Sequence, residues 1–363
     1  MLPQALAMTG GGLRCRAHVF ALEELERQQP GFLRDIRVVG AASGGCIPAL
    51  VIALGLPLAV MHQQFDHFQQ EVSGFVRWWP WTLLKGYTRA LLNLEHPSVT
   101  LTLQNLQTLA PLLEKEGMPQ TLEGLRAWTL RDLHHMTGRR LVLSSADIRL
   151  QQGVFFGAGF GLGEPEQRDA RHAAKEPWDV ADDSDMDVPV YLALSASYNF
   201  PLLLPTLKIG AKVCIDGGAY CDSPTAVIEE VLRRRGAFAA THEVLASESS
   251  DPPSDDDDAQ DAQDEGRVLS ICTHPDEVLI RGRFQQRANY SVGKDLGYVT
   301  GIIFTLLNSQ WRGILSSSDF YGGRDSIVIP TGLLPTFSIP TQAQLDTVRA
   351  LAIKAVTDKI TPC

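Results

Sequence analysis

The sequence is poor in positive charge. It carries 32 Lys plus Arg against 42 Asp plus Glu, a formal net charge of -10. Binding a phosphate backbone needs a basic face, so nucleic acid is not an expected partner. Cysteine is also sparse: Cys15, Cys46, Cys214, Cys221, Cys272 and Cys363 lack metal-ligand spacing. They read as reduced thiols of a cytosol-like compartment rather than a disulfide framework. No metal or other cofactor is expected. The N-terminus lacks a basic stretch ahead of an apolar one, so no secretory signal is read. Charge is missing from Ala41 to Met61, a length that could cross a bilayer. Pro48 and the Gly55-Leu56-Pro57 break split that run, and it reads as a buried helix followed by a turn. With 363 residues, 44% of them hydrophobic, and no long block of low hydrophobicity to divide them, the expectation is one domain over 1–363. Polar insertions are expected at about 164–187 and 243–266. Glu243 to Glu265 holds ten acidic residues and no Lys or Arg, so the rest of the chain is neutral (-10 plus 10 gives 0).

What is present starts with two strand–loop–helix units. Leu6-Ala7-Met8-Thr9 reads as a buried strand, and Gly10-Gly11-Gly12-Leu13-Arg14 as the loop behind it. The run to Gln29 follows, with Val19, Leu22 and Leu25 at helical spacing. Ile36 to Val39 reads as the second strand and ends in Ala41-Ala42-Ser43-Gly44-Gly45, after which an apolar helix begins. Two such units imply a parallel sheet covered by helices. Both glycine loops then lie at the carboxyl ends of strands, where ligands gather. Three glycines can aim backbone N–H groups at one point, with the helix behind adding partial positive charge. That suits an oxyanion or a phosphate; the plainer alternative is a tight turn. No lysine follows as in a P-loop, and Gly-x-Gly-x-x-Gly is not met. The Ser43 corner has the layout of a nucleophile elbow, where a tight turn pushes a serine hydroxyl out of the backbone. Its alternative is a glycine loop that only starts a helix.

Helices are predicted over 57–70, 101–116, 122–136, 188–198, 292–307 and 342–359. Strands are predicted within 140–156, with a hairpin turn around Asp147 to Gln151, and over 267–273 and 326–330. Trp78 and Trp81 lie in an aromatic-dense stretch that is either core or a contact for a bilayer interface or acyl chain. Phe200 opens a bulky apolar loop that ends at Pro205. His134 and His135 read as solvated helix-end residues, since nothing places them near Ser43. In Val213-Cys214-Ile215-Asp216-Gly217-Gly218 an apolar strand delivers an aspartate ahead of two glycines. Taken alone, Asp216 is either a turn former or a site carboxylate.

In their order and spacing, Gly10-Gly11-Gly12-Leu13-Arg14, Ala41-Ala42-Ser43-Gly44-Gly45 and Asp216-Gly217-Gly218 resemble the patatin-like phospholipases. That family carries Gly-Gly-Gly-x-Arg, Gly-x-Ser-x-Gly and Asp-Gly-Gly or Asp-Gly-Ala. Two departures stand out: Ala41 replaces a glycine, and Thr9 stands where many members have an aspartate. The resemblance implies a three-layer α/β/α sandwich with a mainly parallel sheet, and a Ser–Asp dyad without histidine. Ser43 is then the nucleophile and Asp216 the base. Gly10, Gly11, Gly12 and Gly44 form the oxyanion hole, with Arg14 supporting the loop or the head group. The implied substrate is a phospholipid or other acyl ester, met in the cytoplasm or at a membrane surface, with Trp78, Trp81 and Phe200 on the acyl side. Two other readings compete. One is an α/β-hydrolase with a later histidine such as His242 or His274. The other is an inactive member that binds lipid or protein.

Overall fold

A computed structural model describes residues 3–77, 96–149, 152–159, 183–200, 204–219, 223–233, 268–274, 326–331 and 340–360. Trp78, Trp81, His242, the helix predicted over 292–307, and all of both insertions except 183–187 lie outside them.

The described strands form one sheet. They are β1 (Ala5–Met8), β2 (Val38–Ala42), β3 (Arg140–Asp147), β4 (Gln152–Phe156), β5 (Leu207–Ile209), β6 (Lys212–Asp216), β7 (Val268–His274) and β8 (Ser326–Pro330). Their order is β5-β6-β3-β2-β1-β7-β8, with β4 paired to β3 off that path. The centre is parallel: β1 with β2 and β7, β2 with β3, and β7 with β8. The hairpin β3–β4 and the pairs β3–β6 and β5–β6 are antiparallel.

Strand alternation sorts side chains onto the two faces. Leu6, Met8, Val39, Ala41, Leu141 and Leu143 point into the larger core. There they meet α1 (Arg16–Gln28), α3 (Cys46–Ala53), α4 (Leu58–Arg77), α5 (Pro97–Leu109), α8 (Val190–Ser197) and α10 (Gln342–Ile360). Ala5, Ala7, Val38 and Val142 point the other way, onto Ile228 and Val231 of the helix α9 over 225–233. Helices therefore cover both faces, and the architecture is the three-layer sandwich. The short helix α2 (Phe32–Asp35) links α1 to β2. The uncharged run from Ala41 splits as expected: α3 is buried, and a turn precedes α4. Among the described residues, no helix is long and apolar enough to cross a membrane.

Several boundaries differ from expectation. The helix predicted from Leu101 begins at Pro97, where the His96 side chain accepts the Ser98 N–H and proline occupies the first turn. It gives way to a 3-10 segment, Ala110–Glu116, because Pro111 has no N–H with which to continue the ladder. The helix predicted over 122–136 is two, α6 (Leu122–Ala127) and α7 (Leu130–Thr137). Thr129 and Asp132 close a reciprocal capping box that starts the second. The end of the first polar insertion is only partly surface: Asp183–Asp187 forms a 3-10 turn in which Asp185 and Met186 are buried and Asp187 is exposed. Asp185 there is fully buried and accepts the Gly159 N–H with both carboxylate oxygens, at 3.1 and 2.8 Å.

Candidate active site

The register of the sheet sets the site. β3 pairs with β4 over Leu143 to Asp147, so β2 and β6 must share the opposite edge. β2 runs parallel to β3 and stops with Ala42 opposite Ser144. β6 runs antiparallel and stops with Asp216 opposite Ser145. Two strand ends thus meet head-on at adjacent residues of β3, and the chain leaves each at a glycine-rich corner. A Cβ on Gly217 would lie 2.3 Å from the Ser144 carbonyl oxygen, so only glycine lets the backbone turn away here.

Ser43 opens the corner after β2. Its φ is +50°, and it is the one non-glycine residue with positive φ among those described. A serine held in the left-handed region costs about 1–3 kcal/mol and persists only where the surroundings enforce it. The enforcing contacts are backbone ones. A Cβ on Gly44 would lie 2.3 Å from the Gly12 carbonyl oxygen, and one on Gly45 2.6 Å from the Thr9 carbonyl oxygen. The corner therefore seats directly on the glycine loop that follows β1. Ala41, by contrast, is still inside β2 with its methyl in the core, so the glycine missing from that position is not needed for the turn.

The Ser43 hydroxyl donates to Asp216 Oδ2 at 2.7 Å across 173 residues of sequence. Asp216 Oδ1 accepts the Gly218 N–H at 2.8 Å, and the Asp216 amide donates to the Asn199 carbonyl at 2.9 Å. Burial pushes the Asp216 carboxyl up to about 6 against the pull of the hydrogen bonds from Ser43 and Gly218. The Ser43 amide donates to Ser197 Oγ at 3.3 Å, and the Cys46 thiol donates to the same oxygen at 3.0 Å. Burial keeps that thiol protonated.

The glycine loop is tethered from the other side. Thr9 Oγ1 accepts the Thr273 N–H at 2.9 Å, and the Thr273 hydroxyl donates to the Gly10 carbonyl at 2.9 Å. Thr9 thus ties the loop to β7 without a charge. Gly11 has φ +145° and Gly12 φ +60°, the freedom that three glycines in a row provide. Arg14 is buried on the 3-10 turn Gly12–Cys15, its amide donating to the Gly11 carbonyl at 3.2 Å. Behind Ser43, the 3-10 turn Ser43–Gly45 runs into α3. The first N–H groups of such a helical run have no partner within it; Ser197 Oγ takes that of Ser43, and that of Gly44 is the next to face negative charge beside the serine oxygen.

The structure therefore brings together Ser43, Asp216, Gly44 and the loop of Gly10, Gly11, Gly12 and Arg14. Phe200, half-buried, follows the Asn199 that holds the Asp216 amide. Trp78 and Trp81 lie outside the described residues. His134 and His135 sit in the last turn of α7, stacked edge-on at 6.2 Å, and no histidine among the described residues hydrogen-bonds Ser43 or Asp216. Sequence reasoning missed Ser197, Asn199 and the Thr9–Thr273 pair. Only Thr9 carried a signal, as the uncharged residue where an aspartate is common. The described residues also hold no cluster of side chains fit for a metal ion. A buried serine hydroxyl donating to a carboxylate of raised pKa, beside backbone donors, is an arrangement able to transfer an acyl group.

Comparison with known proteins bears on the same segments. No curated protein matches the chain in sequence. Among solved structures it is similar to VipD from Legionella pneumophila, at 13% identity and a TM-score of 0.44, covering 97% of this chain and 65% of VipD. The sequence profile of the patatin-like phospholipases matches residues 6–228, a span that holds both glycine corners and Asp216. The chain belongs to the patatin-like phospholipase family.

Proposed function

We propose that the chain is a lipid acyl hydrolase of the phospholipase A or lysophospholipase kind, acting through a serine acyl-enzyme. Ser43 Oγ attacks the ester carbonyl while its proton passes to Asp216. The carbonyl oxygen takes the negative charge and is held by the N–H groups of Gly11, Gly12 and Gly44, with Gly10 shaping the loop and Arg14 steadying it. Collapse of the tetrahedral intermediate breaks the ester bond, and the proton on Asp216 leaves with the alcohol. Water then attacks the acyl-Ser43, giving its proton to Asp216; collapse breaks the Ser43 Oγ–acyl bond, Asp216 returns the proton to Ser43 Oγ, and the fatty acid leaves. The Ser43 amide is already engaged by Ser197 Oγ, which leaves the oxyanion to the glycine loop and Gly44. One preorganised donor of this type contributes about 3–4 kcal/mol. An ordinary carboxylate, with pKa about 4, is a poor base for an alcohol. The upward push on Asp216 by burial narrows that gap.

The substrate is a phospholipid or other acyl ester met by peripheral contact with a membrane, with Trp78, Trp81 and Phe200 on the acyl side. Polar replacement of both tryptophans is expected to weaken vesicle binding and long-chain hydrolysis, and unchanged values would remove them from this role. The observation that carries the reading is the 2.7 Å contact between the Ser43 hydroxyl and Asp216. Its test is release of p-nitrophenol from a short-chain ester, and of fatty acid from phospholipid vesicles, by the chain and by Ser43→Ala. Release by the first and not the second is expected. Equal release by both would take Ser43 out of the mechanism.

A further inference from the structure

The three residues Ser197-Tyr198-Asn199, where the chain leaves α8, touch both members of the Ser–Asp pair. Ser197 Oγ takes the Ser43 N–H at 3.3 Å, and the Asn199 carbonyl takes the Asp216 N–H at 2.9 Å. Neither contact is to a reacting atom; each fixes the backbone from which a reacting side chain springs. The stretch is itself rigidly held. Ser197 and Asn199 are fully buried. Asn199 Nδ2 donates to the carbonyls of Pro205 and Cys214, at 2.8 and 3.2 Å. The Tyr198 hydroxyl hydrogen-bonds Thr102 on α5.

We infer that Ser197 is a positioning residue, the side-chain half of a bracket that sets the distance from Ser43 Oγ to Asp216. The inference rests on the hydrolase reading above. Its physical basis is the strained corner. Ser43 sits at φ +50° at the head of a helical run, where its N–H has no helical acceptor. Ser197 Oγ supplies one. Cys46 in the first turn of α3 donates to the same oxygen at 3.0 Å, so one hydroxyl ties the corner and the helix behind it to α8. Without it a buried N–H is left unpaired, which costs more than the hydrogen bond is worth. The corner then relaxes, and the Ser43 hydroxyl turns from the carboxylate. That hydrogen bond holds the Asp216 pKa down against burial, so its weakening moves the acidic limb of the pH profile to higher pH.

The test compares the chain with Ser197→Ala, Ser197→Thr and Ser43→Ala, using a short-chain p-nitrophenyl ester and the rate of Ser43 labelling by a fluorophosphonate. For Ser197→Ala the expected result is a fall of roughly tenfold in kcat and in labelling rate, the size of one net hydrogen bond. KM should stay unchanged, the acidic limb should move up in pH, and Ser197→Thr, which keeps the hydroxyl, should restore all three readouts. If Ser197→Ala does not fold, Ser197→Cys, of similar volume but a weak acceptor, is read in the same way. Full kcat in the substituted chain overturns the inference and leaves the hydrolase reading intact. A loss that Ser197→Thr does not restore, or one without a shift of the limb, assigns Ser197 to packing and overturns it too. Hydrolysis that survives Ser43→Ala overturns both.

Discussion

The two edges of the sheet treat polar groups in opposite ways. At the amino edge Arg139 is half-buried, and its guanidinium closes helix ends. It donates to the Ile52 carbonyl at the C-terminus of α3, and to the Leu33 and Arg34 carbonyls of α2, both at 3.3 Å. Burial disfavours the Arg139 charge as well, but cations at helix C-termini satisfy orphan carbonyls and complement the dipole, so these contacts offset that cost and tie the helix ends together. At the carboxyl edge Ser43 is strained and Asp216 is buried as an acid whose ionised form burial disfavours. Groups there are kept in states that cost the fold stability. One edge reads as structure and the other as a site, although they are two ends of the same strands.

Substitutions should separate the edges. Ser43→Ala and Asp216→Asn are expected to lower kcat/KM by about 10³-fold or more, with thermal unfolding still cooperative. Gly44→Ala should damage both properties. Its methyl meets the Gly12 carbonyl oxygen at 2.3 Å, a backbone atom that cannot swing aside, so stability should drop by about 1–3 kcal/mol. The shifted corner should cost up to about a hundredfold in kcat. Denaturant midpoints and kcat measured on one preparation check this. Arg139→Met should lower stability by about 1–3 kcal/mol while kcat/KM of the folded chain stays the same; an activity loss there would erase the contrast.

The smallest effect sharpens it. Asp216 has a folded pKa of about 6 against 3.8 for the free side chain. The folded chain therefore binds that proton more tightly than the unfolded one. Ionisation above pH 6 subtracts stability, and the loss is recovered as pH falls toward 4. Asp216→Asn should thus raise Tm at pH 8 and leave it unchanged near pH 4.

Much of this was legible in the sequence because it is local. β1 and β2, each followed by a glycine corner, the β3–β4 hairpin and the aspartate ending β6 are signalled by short apolar runs and small residues. Strand–helix alternation implied a parallel sheet covered by helices, and the resemblance to the patatin-like phospholipases made it a three-layer sandwich. What escaped was non-local or short. β5 is three residues long and has no periodicity to read. Thr129-Leu130-Arg131-Asp132 held a capping box inside a run that otherwise looked like one helix. Asp185 and Met186 were averaged into an acidic stretch although both are buried. Ser197 lies 154 residues from Ser43, and a serine in a helix carries no mark of the distant amide it accepts. The head-on meeting of β2 and β6 along β3 depends on the register of strands far apart in the sequence, which no single short motif reveals.

The central claim is that the Ser43 hydroxyl is activated by the carboxylate of Asp216, and the most direct measurement is the rate of Ser43 labelling by a fluorophosphonate as a function of pH, in the chain and in Asp216→Asn. The account predicts labelling that rises as pH increases through about 6, and that is slow and flat in the Asn variant. Labelling at equal rates in both, or labelling of the chain that ignores pH across this range, would contradict it.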